Sequence, residues 1–300
     1  MKKKTYLFAL MAMALALGSC SDNENGIGGE ASKYITVSTN IGSMTRVATD
    51  ADGSQTFEEG EKISVYAWTG EATVAPETRE RVVNNAINKL TNGSWVSTPQ
   101  MLWKNNRDKH YFIGVYPISA ISDLSTGEYT FDETKQVESD LLVAVNKDGL
   151  SYNVDEQQTV PLTFTHVMAK LVVNLTYKNQ WGGIPTVEKV VVGNAAKEAT
   201  INYLTKVVTP STTAKEDFSL PEITENTKYV SVIIPQEDVK QLTIVIGGKN
   251  FVYDNGTPFK LESGKITTVN LEVGRDEIKL GDVKITDWEN GSTFSGEALN

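Results

Sequence analysis

The 300-residue sequence contains a single cysteine, Cys20, and only two histidines, His110 and His166. One cysteine cannot form an internal disulfide, and so few thiols and imidazoles leave little material for a transition-metal site. Both histidines fall in or beside strand-like segments without a paired acid at a suggestive spacing, so we expect packed or hydrogen-bonded strand residues. No serine occupies a Gly-x-Ser-x-Gly elbow. The sequence therefore predicts no enzymatic activity, no metal and no cofactor.

Positive charge is also scarce, because 28 lysines and arginines stand against 38 acidic residues and give a formal net charge of −10. Loss of Lys2, Lys3 and Lys4 with a leader peptide would make the chain more acidic still. The phosphates of nucleic acids and anionic lipid headgroups repel a surface of this sign. We therefore expect no nucleic-acid partner.

Long apolar runs are confined to the start of the chain, at residues 7–17. This run is shorter than the roughly 20 residues of a membrane-spanning helix, and the small residues after it are typical of a secretory cleavage site. The cysteine that follows suits thioether acylation, so we interpret residues 1–19 as a lipoprotein signal peptide and Cys20 as the site of diacylglycerol and palmitate attachment. The alternative is an ordinary secretory peptide with an incidental cysteine. Residues 20–33 are polar and acidic, which predicts a flexible tether.

Almost every patterned segment alternates apolar and polar residues with period two, which is typical of β-strands. The predicted strands are 34–41, 62–68, 110–116, 169–177, 187–192, 229–234, 242–246, 249–253 and 266–273. Gly247 and Gly248 separate two of them, as in a tight hairpin. Only residues 79–90 show a weak helical pattern. The sequence predicts an all-β protein.

The length of the chain exceeds what one core comfortably holds, so we expect two domains. Short strands with frequent turn signals favour β-sandwiches. The glycine-containing stretch at 179–183 interrupts the pattern and is the expected boundary. The prediction is an N-terminal sandwich over 34–178 and a C-terminal sandwich over 184–300.

The five tryptophans allow two interpretations. They are Trp68, Trp95, Trp103, Trp181 and Trp288. Aromatic rings can form a platform on which sugars stack, but at strand spacing they more often belong to a core or an interface.

Arg46 directly follows the first predicted strand and precedes a turn-rich stretch at 48–55. Exposed connections are the places where proteases cut a folded protein, and trypsin-like enzymes cut after arginine. From the residues alone, Arg46 is either an ordinary surface residue or a processing site at the bond to Val47.

Short segments in a characteristic order run along most of the chain. They are 45–46 (TR), 57–67 (FEEGEKISVYA), Trp95, 102–103 (LW), 111–117, 140–144, 162–171 (LTFTHVMAKL), 261–265 and 285–288 (ITDW). In this order, behind a lipoprotein signal, they resemble the fimbrillin family, the Mfa-like and major-fimbrillin subunits of Bacteroidales type V pili. The acidic residues after Cys20 are similar to the surface-export signal of Bacteroidetes lipoproteins.

The resemblance implies two tandem β-sandwich domains of transthyretin-like topology and export as an outer-membrane lipoprotein to the cell surface. It also implies that a trypsin-like, arginine-specific protease cuts between Arg46 and Val47 and releases strand 34–41. The side chains of that strand that would plug the groove are Ile35, Val37, Thr39 and Ile41. A strand from a neighbouring copy or a related pilus subunit would then fill the groove.

The C-terminal tail is the expected donor strand. Its apolar residues are Ile278, Leu280, Val283, Ile285 and Trp288. The first two share one parity, the next two share the other across Gly281, and the tryptophan offers an end anchor. A head-to-tail joint of this kind does not close on itself, so it propagates as a filament.

Three functions remain open at this point. The leading one is a non-enzymatic structural subunit of a fimbria that supports adhesion to an unknown receptor. The alternative is a monomeric surface lipoprotein of the same fold, either an anchor or tip subunit or a glycan-binding module. A secreted hydrolase is the third, and it lacks any recognisable constellation of catalytic residues.

Overall fold

The computed structural model describes residues 33–42, 57–254 and 256–288. The regular structure of these residues consists of strands and two short 3-10 turns, so the predicted all-β fold is confirmed. Within the described ranges, no helix is long and apolar enough to cross a bilayer. The predictions for Cys20, Arg46 and Val47 lie outside the described residues.

The first group contains eight strands, and seven of them form one large sheet. Its members are β1 (Thr36–Ile41), β2 (Lys62–Thr69), β3 (Arg81–Thr91), β4 (Ser94–Thr98), β5 (His110–Tyr116), β6 (Gly127–Thr130), β7 (Leu142–Leu150) and β8 (Thr159–His166). All except β6 lie in a seven-stranded sheet in the order β1-β8-β7-β5-β2-β3-β4. The neighbouring strands are antiparallel, with one exception: β1 runs parallel to β8.

The remaining strands build three smaller sheets. They are β9 (Ala169–Tyr177), β10 (Lys189–Ala196), β11 (Glu198–Asn202), β12 (Val207–Pro210), β13 (Lys215–Ser219), β14 (Glu222–Thr224), β15 (Lys228–Ile233), β16 (Gln241–Ile246), β17 (Lys249–Asp254), β18 (Lys265–Val273) and β19 (Ile278–Asp287). The sheet orders are β14-β15-β9-β18-β19, β13-β10-β16-β17 and β12-β11-β6. The last sheet takes β6 from the first group and so ties the two groups together.

Strand pairing assigns β9 to the second group, because β9 lies between β15 and β18. By hydrogen bonding, the division between the groups falls between β8 and β9. The boundary that we expected at 179–183 lies after β9 and includes the 3-10 turn Asn179–Trp181. The parallel partner of β9 comes about a hundred residues later in the chain, so local sequence gives no sign of it.

Two clusters of buried apolar side chains hold the sheets together. The smaller core lies on one face of the seven-stranded sheet and contains Val65, Phe112 and Phe164 together with residues of β1. The larger core joins the opposite face of that sheet, at Tyr66 and Val115, to the other three sheets. Successive residues of β2 and β5 therefore enter different cores, which explains why these strands are apolar on both faces.

The weak helical pattern at 79–90 does not correspond to a helix. The 3-10 turn Thr78–Glu80 is followed by β3, which pairs with β2 on one side and β4 on the other. Asn85 has a φ of +55°, and the register against β2 shifts beside it. This irregularity interrupts the alternation of β3 and hides its period from the sequence.

The hairpin predicted at Gly247-Gly248 is confirmed. Ile246 pairs with Lys249, so the two glycines form a two-residue turn between β16 and β17. Their φ angles are +58° and +71°, the left-handed conformation that such turns require at both positions.

Candidate functional site: the seam closed by the first strand

One edge of β1 pairs with β8 over the whole length of the strand. The pairing runs from Thr36 opposite Thr159 to Ile41 opposite Phe164 without a register shift. Parallel strands cannot be joined by a tight hairpin, so β1 is held at this edge by its backbone hydrogen bonds and side-chain packing.

The N-terminal extension of β1, residues 33–35, meets the segment that follows β4. The amide of Ile35 donates to the carbonyl oxygen of Met101 (3.0 Å), and the amide of Trp103 donates to the carbonyl oxygen of Lys33 (3.2 Å). This extension therefore connects the two ends of the seven-stranded sheet, since it precedes β1 and its partners follow β4. We call the gap that β1 fills, between β8 and residues 101–103, the seam.

Alternate side chains of β1 point into the smaller core. Ile35, Val37 and Ile41 are only 3%, 6% and 6% exposed. Thr39 is half-buried, and its Oγ1 accepts a hydrogen bond from Nε1 of Trp95 (3.0 Å). The four predicted groove plugs thus share the inward face, while their role as plugs stays a prediction.

Aromatic rings line the seam beneath the end of β1. Phe57 is buried, and its ring centroid lies 5.3 Å from Trp95, 5.4 Å from Tyr116 and 5.2 Å from Phe164. The contacts with Trp95 and Phe164 are edge-to-face, a favourable arrangement for aromatic pairs. Phe57 therefore packs against one aromatic residue from each of β4, β5 and β8.

A buried histidine supports the opposite wall of the seam. The ring of Trp103 meets His110 edge to face, with centroids 5.0 Å apart. The amide of Lys104 donates to Nε2 of His110 (3.0 Å), so the neutral ring carries its proton on Nδ1, which donates to the carbonyl oxygen of Asp108 (3.1 Å). Burial lowers the pKa of His110 below its ordinary value, although the Asp108 hydrogen bond opposes this shift.

His166, the last residue of β8, has an acidic partner. Its Nδ1 lies 2.7 Å from Oδ1 of Asp140, and both side chains are almost fully buried. No spacing in the sequence pointed to this pair, and His166 is a buried, hydrogen-bonded strand residue, as expected. The antiparallel pairing of β7 with β8 places Leu142 opposite His166, and this register brings the acid close from 26 residues away.

The same histidine holds the end of the C-terminal strand. The rings of His166 and Trp288 are stacked, with centroids 3.9 Å apart and planes 10° apart. The amide of Trp288 donates to the carbonyl oxygen of Gly264 (3.1 Å), and Nζ of Lys170 lies 5.2 Å from the centroid of the indole ring. We call His166, Asp140 and Trp288 the clasp.

The strand that the clasp holds, β19, is peripheral. It forms an edge of the five-stranded sheet and pairs with β18. Leu280, Val283 and Ile285 are 37%, 38% and 39% exposed, whereas Trp288 is buried. Among the predicted donor residues, the tryptophan therefore provides the main apolar anchor.

A β-bulge at Gly281 brings the apolar side chains of β19 onto one face. Leu280 lies opposite Leu271 and Asp282 lies opposite Asn270, which leaves Gly281 as the extra residue. The sequence predicted two parities on either side of this glycine. The bulge merges them, so that positions 278, 280, 283 and 285 all lie opposite buried residues of β18.

The tryptophans belong to cores rather than to a sugar-stacking platform. Trp68, Trp103 and Trp288 are buried, and the half-buried Trp95 and Trp181 pack against the two cores. In the described part of the chain, no indole ring lies open on the surface.

Sequence reasoning did not place any residue opposite β1 on the far side of the seam. Phe57 and Leu102 entered as parts of a family pattern, Trp95 and Trp103 also as expected core or interface residues, and Met101 not at all. Trp95 lies in a five-residue strand with period two, which is a usable signal. The backbone hydrogen bonds of residues 101–103 cannot be predicted from local sequence, because their partners lie far away in the chain, at the opposite end of the sheet.

We expect the stability of the protein to fall as the pH drops below about 6.5, in part because of His110. Its pKa is lower in the folded state, so between that value and the ordinary value of about 6.5 the unfolded chain binds the proton more readily. This contribution is complete above about pH 6.5. Between pH 7.5 and pH 5, the free energy of unfolding measured in urea should fall less for His110→Gln than for the wild type. If it falls equally with pH in both proteins, this role of His110 is contradicted.

We expect Trp288→Ala to free β19 from its sheet. Removing a buried tryptophan costs about 3–5 kcal/mol, and the loss should be concentrated at this edge because the rest of β19 is exposed. Hydrogen exchange should accelerate over Ile278–Asp287 more than over β15. Val283→Ala, a partly exposed change in the same strand, serves as the control. Unchanged protection of β19 in the tryptophan variant would show that the clasp does not hold the strand.

The comparisons with known proteins agree with this architecture. A family model described as fimbrillin-like matches residues 45–288. Similar solved structures include candidate cell adhesion proteins from Bacteroides uniformis (TM-score 0.61, 18% identity, 77% of this chain and 93% of that chain) and Bacteroides ovatus (TM-score 0.61, 18% identity, 86% and 98%). A fimbrial protein from Bacteroides vulgatus has a TM-score of 0.52 at 12% identity over 84% of this chain and 99% of that chain. No curated protein is significantly similar in sequence.

At these identities, the solved structures show a common fold. The family match extends from before β2 to the tryptophan of the clasp and so covers most of the chain. It confirms the resemblance drawn from the sequence motifs. The chain belongs to the fimbrillin-like family.

Proposed function

We propose that this protein is a structural subunit of a cell-surface fimbria that polymerises by protease-triggered donor-strand exchange and supports adhesion. Membership in the fimbrillin-like family supports the fimbrial role. The observation that carries the mechanism is the seam, because a single short strand closes the seven-stranded sheet and fills the smaller core.

Loss of β1 would leave a site that accepts a strand. Ile35, Val37 and Ile41 are buried, and burial of each such side chain is worth roughly 1.5–3 kcal/mol. Without β1, the edge of β8 would present unpaired backbone groups over an open apolar groove. Added strands bind such edges through backbone hydrogen bonds, and their alternate side chains enter pockets.

Cleavage between Arg46 and Val47 would convert β1 from a tethered strand into a separable one. β1 ends at Ile41 and the bond lies a few residues later in the chain, before β2. After cleavage, only non-covalent contacts would connect β1 to β8 and to residues 101–103. The released segment would stay with Cys20 and its lipid, so processing would separate the subunit from the outer membrane.

The donor strand that we propose is β19. It lies at a sheet edge, and most of its side chains are exposed. Detachment from β18 therefore uncovers little core apart from the pocket of Trp288. The proposed partners are neighbouring pilus subunits, an arginine-specific protease and an unidentified surface receptor.

The substitution Arg46→Ala should leave export and folding intact and abolish polymers. Arg79→Ala is the matched control, because Arg79 is a highly exposed arginine that lies away from the first strand. Surface material from cells expressing each variant would be separated by size in detergent without heating. We expect high-mass species from the wild type and the control and monomers from the Arg46 variant. Normal assembly of the Arg46 variant would overturn the processing step.

A further inference from the structure

We propose that the strand which replaces β1 comes from a related subunit with an uninterrupted alternating strand, and not from a second copy of this chain. The inference rests on the function proposed above and specifies the partner of the seam. It rests on one difference: the seam requires apolar side chains at regularly alternating positions, and β19 interrupts this alternation at Gly281.

The strand that fills the seam must alternate between buried and exposed side chains without interruption. The register between β1 and β8 is continuous, and the buried positions of β1 are Ile35, Val37 and Ile41. The position between the last two pockets is occupied by Thr39, whose hydroxyl accepts a hydrogen bond from the indole of Trp95. A fitting strand therefore carries apolar residues in the first, second and fourth alternate positions, and the third position favours a hydrogen-bond acceptor.

The strand β19 does not meet this requirement in a regular conformation. Four alternate positions within Ile278–Asp287 can be chosen in four ways, and the residues are Ile-Leu-Asp-Lys, Lys-Gly-Val-Ile, Leu-Asp-Lys-Thr or Gly-Val-Ile-Asp. In either strand direction, each choice places a charged side chain in one of the three apolar pockets. Burial of an unpaired charge in an apolar pocket is strongly unfavourable.

The apolar face of β19 exists because of its bulge. With Gly281 as the extra residue, Ile278, Leu280, Val283 and Ile285 lie on one side. A second copy would have to rebuild that bulge against β8, where a bulge interrupts the ladder of hydrogen bonds. Gly281 thus fits β19 to β18 of its own chain and opposes its entry into the seam of another copy.

Deletion of Gly281 provides a direct test. Without this residue the strand reads Ile-Lys-Leu-Asp-Val-Lys-Ile, with apolar residues at four alternate positions and no bulge. We expect a peptide of residues 277–288 lacking Gly281 to enter the seam with at least about tenfold higher affinity than the natural peptide. The matched control is the Gly281→Ala peptide, which keeps the interruption and should bind as weakly as the natural one.

The acceptor is the full-length chain with a specific protease site introduced between Arg46 and Val47, and it is cut before the measurement. A labelled peptide of residues 33–42 first measures exchange of β1 itself, and the three β19 peptides then compete with it. Equal competition by the natural and deleted peptides would overturn the inference and leave the exchangeable seam intact. Strong competition by the Gly281→Ala peptide would also overturn it. If no peptide enters, including that of β1, the exchangeable seam and this inference both fail.

Discussion

The closure of the seven-stranded sheet by β1 is the interaction on which the rest of the N-terminal part depends. The strand contributes backbone hydrogen bonds on both edges and three buried aliphatic side chains on one face. Its partners come from distant parts of the chain, namely β8 and residues 101–103. Because these contacts converge on residues 33–41, the smaller core is complete only while β1, or a strand of the same pattern, is in place.

The strand β8 connects this closure to the far end of the molecule. Its backbone carries β1 as far as Phe164, and two residues later His166 stacks on the indole of Trp288. The proposed acceptor edge and the end of the proposed donor strand therefore both contact β8, the first along most of its length and the second at its last residue. Both β1 and β19 stand at the edge of their sheets, where segments open more readily than in the interior of a sheet.

Local alternation was sufficient to predict β5 and β9 with their observed bounds, and β1, β2 and β15 to β18 within a residue or two. It did not predict β4, β6, β7, β8 or β11 to β14. It failed at β3, where the positive φ of Asn85 breaks the period. The inward face of β1 could also be predicted from the sequence. The second edge of β1, the pairing of Asp140 with His166 and the placement of β9 could not, because each depends on contacts between distant strands. The sequence of β19 places its apolar residues on two faces of a regular strand. The bulge at Gly281, which is visible only in the pairing with β18, brings them onto one face.

The central claim is that the chain is cut behind β1 before it assembles. The most direct measurement is the N-terminal residue of this protein in material sheared from the cell surface and fractionated by mass. The account predicts Val47 at the N-terminus of the high-mass, detergent-resistant fraction. A lipidated Cys20 at the N-terminus of that fraction would contradict it, because β1 would then still be joined to the seam that a neighbour has to fill.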